Sequence, residues 1–261
     1  MSKSSQEIFD AVVVGAGAGG SVIAERLSSL GQSVLILDEG RNIDASELKN
    51  SISHLMADTY RSSGAIPFIG PFTFPYGESR VLGGGTFING GLLWKTPRRT
   101  LERWKSSIPD SVYSSHTWHQ TETKVENDLG VSIVSDKFSE KNQGSKLLKD
   151  TSESLGWKVV PVPRAVIGCQ NLNRCAAGCP SGAKQDVRFN YLKKATKNGS
   201  ILLQSCKAIK IDILNGKPRR LVYKKENKHC SVLFKNLILS AGATQSPLIL
   251  RKNGLSKSAG N

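Results

Sequence analysis

The chain has 261 residues, of which 38% are hydrophobic and 22% charged. That composition supports a packed core and excludes disorder, collagen and a disulfide miniprotein. No run approaches the roughly 18 apolar residues of a membrane helix. Thirty-six Lys and Arg against 21 Asp and Glu leave a formal charge of +15. Much of the excess lies between Lys193 and Lys235, where Asp212 and Glu226 are the only acids. Such a patch suits an acidic partner, a nucleic acid or an anionic membrane, or is simply the solvated face of a β-meander, the reading preferred here. Few aromatics interleave with it, so no stacking platform for single strands is indicated.

The amino-terminal ten residues carry no apolar signal segment and lead directly into a strand, so a soluble cytoplasmic chain is the expectation. Ile8 to Val14 is a short β-branched run, the pattern of a buried parallel strand. It enters Gly15-Ala16-Gly17-Ala18-Gly19-Gly20, and then a segment in which Val22, Ile23, Leu27 and Leu30 keep helical spacing and Gly31 suits a cap. VLIL at 34–37 is a second strand, ending at Asp38-Glu39-Gly40. Residues 41–80 hold Pro67, Pro71 and Pro75 among Phe68, Phe72, Phe74 and Tyr76, and read as a loop packed over a site. Residues 99–155 are polar and predict helices outside the core sheet. After Ser200, KAIKIDIL, RRLVYKK and CSVLFK read as three strands broken at Asn215-Gly216 and Glu226-Asn227-Lys228. NLILSAG at 236–242 reads as one further buried strand reaching a turn of small residues.

Three segments carry chemistry. G-x-G-x-x-G at Gly15, Gly17 and Gly20 lies between a strand and a helix. Gly15 permits the turn, Gly17 lets backbone approach a pyrophosphate, and Gly20 lets the helix pack on the sheet. Asp38, 18 residues beyond Gly20, is placed to accept ribose hydroxyls, with Glu39 as the competing acceptor. SRVLGGGTFINGG at 79–91 puts Gly83, Gly84 and Gly85 beside Thr86, Asn89 and Gly90, a backbone cradle for phosphates or a planar ring. LSAGATQSPLIL at 239–250 runs a strand into Ala241-Gly242 and a helix with Pro247 expected in its first turn.

Together these segments resemble the FAD-binding half of the glucose–methanol–choline (GMC) oxidoreductases, over essentially the whole chain. The resemblance implies an α/β, Rossmann-like FAD-binding fold: a parallel sheet with a β-meander, with residues 1–98 and 199–261 as dinucleotide-binding core and 99–198 as an inserted region with a cysteine-rich loop. It implies FAD as cofactor, held by the three glycine-rich segments with Arg80, and Ala208 presenting its backbone to the adenine. Ser79 stands where the family has Gly before its Arg, and the aromatic expected soon after Asn89 is offset to Trp94. The implied function is oxidation of CH–OH groups by hydride transfer to flavin, with a small-molecule alcohol as substrate. An electron-acceptor protein and membrane association stay open, and nucleic acid is not expected. The alternatives are a flavin-binding module without catalysis, or a binder acting through the basic patch.

Members of the family run further and carry the catalytic His in a C-terminal half, so the chain reads as a fragment, inactive on its own. His54, His116, His119 and His229 match no catalytic position and read as surface residues. Cys169, Cys175 and Cys179 are one thiolate short of a structural zinc site. A similar segment in membrane-associated bacterial GMC dehydrogenases holds a three-iron cluster. The expectation here is a packed loop of reduced thiols with no metal, and FAD alone as cofactor.

Overall fold

A computed structural model of the chain describes residues 8–108, 115–134 and 142–260. β1 (Ile8–Val14) is buried because Ala11, Val12 and Val13 are enclosed on both faces by neighbouring strands and helices. α1 (Ala18–Ser29) follows, and Gly31 ends it with a left-handed φ of 77°, as the sequence predicts. β2 (Val34–Leu37) is buried at every position. A crossover through a helix is what lets β1 and β2 lie parallel, with Val12 opposite Leu35 and Val13 opposite Ile36.

The segment after β2 is more regular than the sequence suggests. α2 (Ile52–Thr59) is capped by the Ser51 hydroxyl, which accepts from the His54 amide at 3.3 Å. β3 (Ile66–Phe68) and β4 (Phe74–Tyr76) form a separate hairpin in place of the expected loop, with Phe68 stacked on Phe74 at 4.9 Å. Its tip points outward: Ile69 is 79% and Phe72 85% exposed. Opposed prolines, Pro67 against Pro75, supply no amide hydrogens to a larger sheet, which is why the pair stands apart. α3 (Gly85–Ile88) is a single turn rising from the second glycine cluster.

α4 (Arg98–Lys105), α5 (Ser115–Asp128) and α6 (Gln143–Ser154) are the helices read in the polar stretch, joined by a two-stranded pair, β5 (Val131–Ile133) with β6 (Pro163–Ala165). Parts of that stretch, 109–114 and 135–141, lie outside the described residues. α7 (Tyr191–Lys197) packs on α1, burying Tyr191, Leu192 and Ala195. Then come β7 (Ile201–Leu203), β8 (Cys206–Leu214), β9 (Lys217–Lys225), β10 (Lys228–Leu239) and α8 (Gly242–Lys252).

The six-stranded sheet runs β7-β2-β1-β10-β9-β8, parallel from β7 through β10 and antiparallel in the meander. The third meander strand and the expected NLIL strand are one twelve-residue β10. Its first half pairs with β9 and its second half with β1, so no break is needed between them. Asn215 and Gly216 take φ of 51° and 72° at the β8–β9 turn, the left-handed pair a two-residue hairpin demands. The core collects Val12, Leu35, Leu37, Ile211, Leu221, Val232 and Phe234 across all the main strands.

Two compact units emerge. One holds the chain up to Asn89, Ala176–Pro180 and everything from Asp186; the other holds Gly90–Cys175 and Ser181–Gln185. The α7 segment belongs with the sheet because it covers α1. Among the described residues no helix is long and apolar enough to cross a membrane.

Gly40, directly after β2, shows how tightly the core unit is closed. A Cβ there would lie 2.4–2.5 Å from the backbone of Val81, against atoms that cannot swing away. Gly40→Ala should therefore cost roughly 1–3 kcal/mol, read as a lower urea midpoint. Gly85→Ala, where a Cβ meets nothing within 4 Å, should stay within about 0.5 kcal/mol of the parent.

Candidate functional site

A cavity of about 600 Å³ opens at the carboxyl ends of β1, β2 and β10, wholly within the sheet-bearing unit. Cavities of this size hold drug-sized ligands, and strand ends of open parallel sheets are where such ligands bind. Three chain reversals form its floor, each from a glycine-rich segment.

The first reversal is Gly15–Gly20. Gly15 has φ 99°, and a Cβ on it would lie 2.3 Å from the Ser240 carbonyl oxygen. A Cβ on Gly20 would lie 1.9 Å from the Gly15 oxygen. These two positions accept no side chain. Gly17, Ala18 and Gly19 line the cavity, and Gly17 starts α1 with no side-chain cap and no acid in the first turn. The first amides of α1 are therefore left to an incoming anion, at the helix end where partial positive charge collects.

The second reversal brings Gly84 onto the first: its Cβ would sit 2.9 Å from the Gly17 Cα, and its φ is 58°. Gly84, Gly85 and Ile88 line the cavity. Gly83 and Thr86 do not. Thr86 donates to the Gly83 carbonyl at 2.7 Å and accepts from the Val187 amide at 3.4 Å, so it shapes the loop from within. A Cβ on Gly83 would meet the Arg188 side chain at 3.1 Å. Arg188 pairs with Asp186, donates to Asn42 at 3.0 Å and lies 4.4 Å from the Phe87 ring centre, bracing this loop. Asn89 ends α3, its amide donating to the Gly85 carbonyl at 3.0 Å. Gly90 belongs with the other unit, where its carbonyl accepts from Arg164 at 2.9 Å.

The third reversal places Ser240, Ala241, Gly242 and Ala243 along the wall, with α8 starting there, again without a side-chain cap. Ala208, Arg80, Asp38 and Glu39 also line the cavity. Asp38 is 8% exposed. Its Oδ2 accepts from the Ala16 amide at 2.6 Å and its Oδ1 from the Gly40 amide at 2.7 Å. Burial pushes its carboxyl up to about 6, although those two amides and Arg61 pull the other way. Glu39 sits between two cations: Arg61 at 2.9 Å and Lys207 at 3.1 Å. Burial raises its carboxyl, but the cations outweigh it and hold the group below its ordinary range.

Sequence reasoning did not single out Arg61, Glu78 or Lys207, all of which line the cavity. They belong to no motif, and only tertiary structure gathers them. The cysteines fall differently. Cys169 and Cys175 belong with one unit and Cys179 with the other, and Cys175 Sγ accepts from Arg164 at 2.9 Å. Among the described residues no group of three or more His, Cys, Asp or Glu is placed to hold a metal, and the five cysteines form no disulfide. His54 and His119 are exposed and face Asp58 at 3.8 Å and Glu122 at 3.3 Å.

The residues present fit a dinucleotide. Glycines stand where any Cβ would close the floor, helix amides are left for phosphates, and a buried carboxylate faces the β2 end. Comparison with known proteins points the same way. Residues 9–260 match the family described as GMC oxidoreductase. The chain is 30% identical over 257 residues to the uncharacterized GMC-type oxidoreductase y4nJ of Sinorhizobium fredii, covering 97% of this chain and 50% of that one. It is 27% identical over 265 residues to the long-chain-alcohol oxidase FAO1 of Arabidopsis thaliana, covering 95% and 34%. Among solved structures, pyridoxine 4-oxidase from Mesorbium loti superposes with a TM-score of 0.70 at 17% identity, covering 95% of this chain and 52% of that one. The chain thus spans about half the length, or less, of the relatives it matches.

Asp38 should leave a signature in stability against pH. Its carboxyl is held near 6 when folded against 3.8 otherwise, so the folded state binds the proton more tightly. The stability from protonated Asp38 is fully present below the unfolded value and is lost as pH rises through the folded one, about 3 kcal/mol in all. Denaturant titrations of the cofactor-free chain between these pH values should show that decline, and Asp38→Asn should flatten it.

Proposed function

The chain belongs to the GMC oxidoreductase family, and on that premise we propose that it forms the FAD-binding part of a longer enzyme that oxidises an alcohol CH–OH group. One observation carries the reading: three glycine reversals meet at the carboxyl ends of parallel strands, two of them opening uncapped helices toward a single cavity. When bound, FAD supplies the hydride acceptor for that oxidation.

The chain's own residues hold and orient. The first turn of α1 takes the pyrophosphate, with Gly17 and Gly84 allowing backbone to come close. Asp38 accepts ribose hydroxyls through the lone pairs its backbone bonds leave over, and so couples ribose recognition to the shape of the Gly15–Gly20 turn. Glu39, already engaged by Arg61 and Lys207, takes the lesser part. Ala208 offers main chain at the start of β8 for the adenine, and the Ala241–Gly242 turn with the Gly84–Gly85 loop flanks the rest. Small-molecule alcohols are the substrate class. No catalytic role is assigned to a described residue, because none of the four histidines lines the cavity.

The cofactor should be FAD. Heat release from a purified sample followed by chromatography should yield FAD, and a nicotinamide nucleotide in its place would overturn the reading. Asp38→Ala should weaken FAD by about 1–3 kcal/mol in calorimetric titration, with Glu39→Gln weakening it less. The 261-residue chain should bind FAD without oxidising alcohols. Dye-coupled turnover at ordinary enzyme rates, around 1–10³ per second, would place the catalytic base within these residues.

A further inference from the structure

The FAD-binding cavity is lined by three carboxylates, those of Asp38, Glu39 and Glu78, and by four cations, Arg61, Arg80, Lys207 and Lys252. Left unpaired, the carboxylates would oppose a ligand whose pyrophosphate is doubly negative. Like charges at short range in a partly desolvated site repel strongly. One side chain meets two of the three acids. The Arg61 guanidinium pairs with Glu39 at 2.9 Å and with Glu78 at 3.2 Å. The three side chains are 19%, 27% and 12% exposed, so water screens these charges little. Glu78 in turn accepts from the Thr244 hydroxyl at 2.8 Å, in the first turn of α8. The tip of β2, the segment after the β3–β4 hairpin and the start of α8 are thus linked through Arg61 and Glu78.

The backbone around Arg61 is shaped for this position. Its amide donates to the Glu78 carbonyl at 2.7 Å, and Tyr60 bridges Ser79. The next three residues, Ser62, Ser63 and Gly64, take left-handed φ of 50°, 53° and 80°. Two consecutive serines in that region are uncommon, and such conformations persist where surrounding structure holds them at a functional position.

We propose that Arg61 is a positioning residue of the cofactor site, neutralising Glu39 and Glu78 together so that a carboxylate-lined cavity admits the pyrophosphate. The inference rests on the FAD reading above. Lys207 supports Glu39 from the β8 side, but it is 57% exposed and is not paired with Glu78. Loss of Arg61 therefore leaves the part-buried Glu78 carboxylate without its cation and Glu39 with the exposed Lys207 alone, the costly way to break such a pair.

The test is FAD affinity, by flavin fluorescence quenching and calorimetry on the full 261-residue chain, with circular dichroism melting alongside. Arg61→Met should weaken FAD at least tenfold, and Arg61→Lys less, since the charge remains. The double variant Arg61→Met/Glu78→Gln should recover most of the loss, because it removes the acid left without a cation while Lys207 still pairs with Glu39. Glu78→Gln alone should bind FAD as well as the parent or better. An Arg61→Met chain with parental affinity, or a double variant as weak as the single one, would overturn the proposal and leave Arg61 a packing residue. Should Arg61→Met fail to fold, Glu78→Gln decides: weakening of tenfold or more would likewise overturn it. Failure of the parent chain to bind FAD would instead overturn the cofactor reading.

Discussion

The contact between the Gly15 turn and Ser240 sets the geometry of the site. β1 and β10 are parallel neighbours, Val14 lies opposite Leu239 in register, and both strands turn into helices at the same edge. Two adjacent strand ends can both reverse there only if the backbones nearly touch. With a Cβ on Gly15 only 2.3 Å from the Ser240 oxygen, no other residue preserves that approach. The result is a pair of helix amino ends opening side by side, and a pocket between them that favours negative charge.

Asp38 extends this constraint to the third strand. Its two oxygens accept from the Ala16 amide and the Gly40 amide, so the β2 tip is tied to the glycine turn. Gly40 then lies hard against Val81, which fixes the start of the second glycine cluster, and Gly84 meets Gly17. Each link is a backbone approach or a buried hydrogen bond. The pocket floor is held by short contacts among residues distant in sequence. A carboxylate in so enclosed a place holds its proton more firmly than usual.

Electrostatics divides the same region. The helix ends favour an anion, whereas Asp38, Glu39 and Glu78 oppose one. Arg61 and Lys207 reconcile the two, because they engage the acids at the rim and leave the helix amides free to meet phosphate. The basic excess along the meander has a local use in this light: Lys207, one of its members, serves the cavity, while Lys210 and Arg220 are satisfied by Asp212.

The sequence by itself determined the β1–α1–β2 unit, the meander and the three glycine-rich reversals. Those features are local: a β-branched run, a helical period, a Gly that ends a helix and an Asn-Gly hairpin turn each constrain only neighbouring residues. It also placed Asp38 at the cavity, since strand length and loop length fix that position. Tertiary structure alone decided that the last meander strand continues into the core sheet as β10, and that Pro67 and Pro75 face each other in a hairpin. It alone braced the second glycine loop from the distant Asp186 and Arg188, and gathered Arg61, Glu78 and Lys207 around Glu39. The reason is physical. Backbone conformation is governed by short-range sterics that a few residues encode, whereas ion pairs and loop bracing depend on which distant segments the packed core brings within a few ångströms.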